Sequence, residues 1–163
     1  MSLLMRQYLM TKDKFLTRYP HSWLVWEPAA DALRAGVDVS VAETRTGGAA
    51  EAQRPIGVDV LCFALKLDDG SSIKVGRAAD NELVVSDLLV SRLHARLDFK
   101  AGCWSLVPLS ETKKTTVDGK EIARGTPVQL QSGHVVELGG VKVTFYEAMA
   151  FKERVAVAGN PRR

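Results

Sequence analysis

The chain is expected to fold as an all-β sandwich or barrel, with a short helical extension at its N-terminus and a short helix near its C-terminus. Two patterns carry this expectation. From Val58 onward, short apolar or alternating runs recur at 58–67, 71–75, 82–85, 95–99, 103–107, 115–117, 127–130, 134–138 and 141–146. Turn signals separate them: Asp68-Asp69-Gly70, Ala101-Gly102, Asp118-Gly119, Arg124-Gly125, Ser132-Gly133 and Gly139-Gly140. Many short strands joined by glycine-containing turns pack as two layers or a closed sheet. Composition agrees: 163 residues, 46% hydrophobic and 25% charged, suffice for one core plus an extension.

The N-terminal stretch 3–19 places Leu4, Tyr8, Phe15 and Tyr19 among polar residues, which suits an amphipathic helix stopped by Pro20. His21 to Glu27 holds Trp23, Leu24, Val25 and Trp26, and two indoles so close together are expected to pack on the main domain. Asp31 to Arg34 suits one helical turn closed by Gly36, and Val37, Val39 and Val41 alternate as in a half-buried strand. Thr44 to Pro55 has almost no large apolar residue and reads as a linker or long loop. Asp118-Gly119 is a favourable two-residue hairpin turn. Glu147 to Val157 lacks helix breakers, and the tail after it is expected to fray. The expected division is an extension over 1–55, a β domain over 56–148 and a tail over 149–163.

Several function classes lack their signatures. A net charge of +3 is too mild to argue for nucleic acid. No apolar run is long enough for a bilayer span, and the opening Met-Ser-Leu-Leu-Met run is interrupted by Arg6 and Gln7, too early for a signal peptide; a cytoplasmic protein is expected. Cys62 and Cys103 sit in strand-like runs and fit buried thiols in a reducing compartment better than a disulfide framework, a single bridge being the alternative. The three histidines, His21, His94 and His134, and the cysteines are scattered without metal-ligand spacing, and there is no phosphate-binding or dinucleotide fingerprint. Ser91 and His94, with Asp87 or Asp98 as orienter, resemble a nucleophile set, but their spacing on a loop does not create a base–nucleophile hydrogen bond, and no nucleophile elbow surrounds Ser91. No catalysis, cofactor or metal is expected.

The informative stretch is 74–94. It places Gly76-Arg77 at the end of an apolar strand, then a short strand, then a loop carrying Ser91, Arg92 and His94. A phosphate monoester carries about −1.5 to −2 charges and three acceptor oxygens. An arginine fork, hydroxyl donors and free backbone amides hold it best, and loops converge such groups from distant positions. Gly76 permits a close backbone approach, and the loop 108–118 is placed to close the site.

These residues resemble the forkhead-associated (FHA) pattern of Gly-Arg, then Ser-x-x-His, then Asp-Leu-x-Ser-x-Asn-Gly-Thr-x-Val-Asn-Gly. Gly76-Arg77 and Ser91-Arg92-Leu93-His94 match the first two parts. Pro108-Leu109-Ser110-Glu111-Thr112-Lys113-Lys114-Thr115-Thr116-Val117-Asp118-Gly119 aligns without gaps to the third, and Leu138 to Phe145 resembles the closing hairpin. The resemblance implies a β-sandwich of two twisted sheets that reads phosphothreonine on a protein partner, a kinase or a kinase substrate, without nucleic acid or membrane. It implies Arg77 and Ser91 as principal phosphate ligands, Arg92 and Thr112 as further contacts, Lys113 as the peptide-contacting position, and Gly76 and His94 as supports of the site. Lys113 stands where the family has the peptide-gripping asparagine, Lys114 where it has glycine, Glu111 where it has serine, Pro108 where it has aspartate, and Asp118 where it has the second asparagine. An asparagine amide both donates and accepts, whereas Lys113 only donates, so altered peptide-backbone recognition is expected. The alternative reading is an FHA scaffold that binds partners independently of phosphate. A further expected ligand is the protein's own linker, phosphorylated at Thr44 or Thr46 and held at high local concentration by its tether.

Overall fold

The structure, a computed structural model, describes residues 14–26, 52–53, 61–66 and 70–159. Helix α1 (Phe15–Arg18) precedes strand β1 (Ser22–Trp26). Then follow β2 (Ala52–Gln53), β3 (Leu61–Leu65), β4 (Ser72–Gly76), β5 (Leu83–Val84), β6 (Ala95–Lys100) and β7 (Cys103–Pro108). The chain continues through β8 (Thr115–Val117), β9 (Lys120–Glu121), β10 (Val128–Gln129), β11 (Val135–Leu138), β12 (Val141–Tyr146) and helix α2 (Ala148–Gly159). A seven-stranded sheet runs in the order β2-β3-β1-β12-β11-β8-β9, and a five-stranded sheet in the order β10-β7-β6-β4-β5. Pairing is antiparallel throughout, except between β4 and β5.

Alternation explains most strands. In β4, Ile73 and Val75 point inward while Ser72 and Lys74 face solvent; β12 does the same with Val141, Val143 and Phe145. These side chains meet between the sheets with Leu97, Trp104, Leu106, Val136 and Leu138 to form the main core. Strands β1 and β3 do not alternate because both faces are covered, and a strand buried on both faces reads as a continuous apolar run. Leu24, Phe63 and Leu65 face the sandwich core, while Trp23, Val25, Cys62 and Ala64 face a second cluster with Phe15, Phe151 and Val155 of the two helices. The Trp23 indole stacks on Phe151 at 4.3 Å between centroids.

Two N-terminal segments take part in the sheet. The Trp-bearing segment does not lie on the domain as an extension. As β1 it pairs with β3 on one side and β12 on the other, inside the sheet, so the β domain draws on residues before 56. Within the stretch read as a linker, Ala52 and Gln53 pair with Phe63 and Cys62 at the sheet edge. The expected helix over 3–19 is described only at its end, as the single turn α1. The turn at 31–36, the strand at 37–41 and linker positions 44–51 lie outside the described residues. The C-terminal helix is present, packing Phe151 and Val155 on the outer face of β1 and β3. Cys62 is buried, and burial pushes its thiol up to about 12. Cys103, expected to be buried, is exposed at the first position of β7.

The turns fix which loops share an end. Ala101-Gly102 joins β6 to β7 and Asp118-Gly119 joins β8 to β9, both with positive φ at the two central residues, the geometry of tight hairpins. At the other end of these strands, β4 stops at Gly76, β6 starts after His94, β7 leads into 109–114, and β11 turns to β12 through Gly139-Gly140. Four connections therefore converge on one rim.

Candidate functional site

The backbone of Gly76 is the floor of this rim. Where β4 ends, the chain continues pairing with the loop before β6: the Arg77 amide donates to the Ser91 carbonyl at 2.9 Å and the Ala78 amide to the Arg92 carbonyl at 3.0 Å. The loop lies so close that a Cβ on Gly76 would strike the Arg92 carbonyl and come within 2.9 Å of that of Ser91. Both are backbone atoms, so nothing flexible can yield. The Arg77 side chain crosses the same loop, its Nε directed at the Val90 carbonyl at 3.4 Å; among the described residues the outer guanidinium nitrogens have no hydrogen-bond partner, and the residue is exposed.

His94 ties three of the four connections together. It is fully buried, at 0% exposure. Its backbone amide donates to Val75, and its carbonyl accepts from both Leu109 and Ser110, which pins the start of the third loop. Its Nδ1 accepts from the Ser91 amide at 3.1 Å, and its Nε2 donates to the Lys114 carbonyl at 3.2 Å, a carbonyl that also accepts from the Gly139 amide. These partners require a neutral ring protonated at Nε2. Burial holds the imidazole below its ordinary value of 6.5, opposed by the hydrogen bond to Lys114 and reinforced by the positive charge of Lys113. The ring bonds the Ser91 amide, and the Ser91 hydroxyl bonds elsewhere, so the geometry of a base and its nucleophile is not formed.

Ser91 Oγ lies 2.7 Å from Ser110 Oγ, and Ser110 Oγ also accepts from the Lys113 amide at 2.9 Å. A pair of hydroxyls has two protons and uses one in its mutual bond. The other stays available to an outside acceptor. Asn81, buried at 5% exposure, braces the remaining side: its Nδ2 donates to the Ala78 and Arg92 carbonyls at 2.8 and 2.7 Å.

The structure thus brings Arg77, Ser91, Arg92 and the 110–113 loop to one rim, supported by Gly76 and His94 from below. Thr112, Lys113 and Arg92 are exposed, and their side chains make no hydrogen bond to Arg77 or Ser91 among the described residues. Two residues were not anticipated. Ser110 supplies a hydroxyl beside Ser91, whereas the gap-free match puts the family's serine at Glu111. Asn81 gave no signal, since an asparagine in a turn looks alike whether it is exposed or bracing.

Comparison with known proteins bears on the fold. A family model described as the FHA domain matches residues 73–139. An FHA domain-containing protein of Arabidopsis thaliana is 32% identical over 77 residues, 47% of this chain and 20% of that protein. The chain therefore spans about a fifth of the length of that curated relative. Among solved structures, the FHA domain of a Chlamydia trachomatis protein superposes with a TM-score of 0.53 at 19% identity, covering 77% of this chain and 97% of that one. The FHA domain of an Arabidopsis thaliana hypothetical protein superposes with a TM-score of 0.50 at 21% identity, covering 78% and 86%.

Proposed function

We propose, from the match of the FHA domain model to residues 73–139, that the rim binds phosphothreonine on a protein partner, a kinase or kinase substrate in Ser/Thr-kinase signalling. One observation supports this most: an arginine fork with no carboxylate partner among the described residues stands beside a serine pair that has one hydroxyl proton to give. A phosphate ester presents the complementary acceptors and charge. Arg77 and Ser91 take the phosphate in this reading, with Ser110 orienting Ser91. Arg92, Thr112 and Lys113 line the path of the peptide, and Gly76 and His94 hold the loops. The protein acts by binding, without catalysis, in the cytoplasm. Its own linker threonines, Thr44 and Thr46, lie outside the described residues and remain a tethered candidate ligand.

The test is a fluorescence titration with a degenerate threonine peptide library in phosphorylated and unphosphorylated forms. Only the phosphorylated library is expected to bind. Arg77→Ala is expected to weaken that binding by about tenfold or more, the value of a charge-assisted hydrogen bond, while the thermal midpoint stays close to that of the unmodified protein. Equal binding of both libraries would favour the phosphate-independent scaffold, a reading motivated by Lys113 in the place of asparagine.

A further inference from the structure

The charges around the rim are unevenly matched. In the third loop and the strands beyond it, Arg124 pairs with Glu111 at 2.9 Å and Lys114 with Glu121 at 2.8 Å. Asp118 accepts from the Val135 amide and faces His134. On the other side, the Asp87 carboxylate accepts from the Leu89 amide and that of Glu82 from the Lys74 amide. Arg77, Arg92 and Lys113 form no ion pair among the described residues. Three unmatched cations therefore stand where one phosphate is proposed to bind. A phosphate ester carries about −1.5 to −2 charges near neutral pH, fewer than the three cations carry.

The position of the third cation, Lys113, follows from the loop. Lys113 is tied through its own amide to Ser110 Oγ, and Ser110 touches Ser91, so the base of the lysine is fixed one hydroxyl away from the proposed phosphate ligand. Its head is exposed and carries only donors. It cannot accept from a peptide N–H as an amide side chain does; it can attract an anion.

Resting on the phosphothreonine reading above, we propose that Lys113 is a specificity-determining residue that selects ligands with a second anionic group close to the phosphothreonine: an aspartate, a glutamate or a second phosphate. The ligand class is an acidic or doubly phosphorylated segment. The lysine supplies a charge preference in place of a backbone grip.

The experiment measures affinity by anisotropy for three phosphothreonine peptides of one length. One is flanked by alanine, one by aspartate and glutamate, and one carries a second phosphothreonine. Each is titrated into the full chain, into Lys113→Gln and into Lys120→Gln, which removes an equal charge from exposed β9 beside the hairpin turn at the far end of β8. The acidic peptide is expected to bind about three- to fivefold tighter than the alanine-flanked one, the range of an exposed ion pair, and the doubly phosphorylated peptide at least as tightly. Lys113→Gln is expected to bring these ratios close to one, Lys120→Gln to leave them intact, and 0.5 M salt to compress them. Equal affinity for all three peptides overturns the proposal and leaves phosphothreonine binding standing. An equal loss of preference in both variants also overturns it, since the effect is then net charge alone. No binding of any phosphothreonine peptide overturns the proposal together with the reading beneath it.

Discussion

His94 holds the rim from beneath, and its chemistry makes that support sensitive to acid. The folded protein keeps the ring neutral, with Nδ1 accepting from Ser91 and Nε2 donating to Lys114. Its affinity for protons is lowered by burial, while an unfolded chain titrates near the ordinary value of 6.5. Below that value the unfolded chain binds more protons than the folded one, so stability is full above it and declines as pH falls. A thermal midpoint lower at pH 5.5 than at pH 7.5 is expected. His94→Gln should be less stable at pH 7.5, with a flatter response over the same window; an equally steep response would place the titration elsewhere. Phosphopeptide affinity should also fall below about pH 6 as the phosphate gains a proton, an effect independent of His94. At this scale the legible residues were those with a rigid sequence relation to a strand end: Gly76-Arg77 closes β4, and His94 opens β6. Ser110 was missed because its contact with Ser91 depends on how the third loop turns, which spacing alone does not show.

At the scale of elements, the strands that alternate were read from the sequence nearly to their ends, as with β4, β11 and β12. Strand β1 was seen as an apolar segment needing cover, but not as a strand of the sheet, because Trp-Leu-Val-Trp is buried on both faces and lacks the period of two. The two-residue β9 is too short to leave a pattern. The tight hairpins make a prediction of their own. Ala101 sits at φ 50° in the first central position of the β6–β7 turn, a region where its Cβ is unfavourable. Ala101→Asn is expected to raise stability by about 0.5–1 kcal/mol in urea unfolding, since asparagine tolerates that conformation. No gain would mean that the turn's cost is met by other contacts of Ala101.

For the whole molecule, the consequence is that the rim and the N-terminal strand belong to one folded unit. Without β1, strands β3 and β12 lose their shared neighbour, and Phe151 and Val155 of α2 lose Trp23 and Val25. A fragment beginning at residue 56, where composition alone sets the domain boundary, is expected to lack a cooperative thermal transition, whereas the full chain shows one. A folded fragment would show that β1 is dispensable. The most direct test of the binding site itself is a ¹H–¹⁵N spectrum of the full chain titrated with a phosphothreonine peptide. The expected result is that shifts concentrate in the amides of 77–78, 91–92 and 110–113, and that the unphosphorylated peptide produces none. Shifts confined to the opposite end of the sandwich, around Ala101-Gly102 and Asp118-Gly119, would contradict the account.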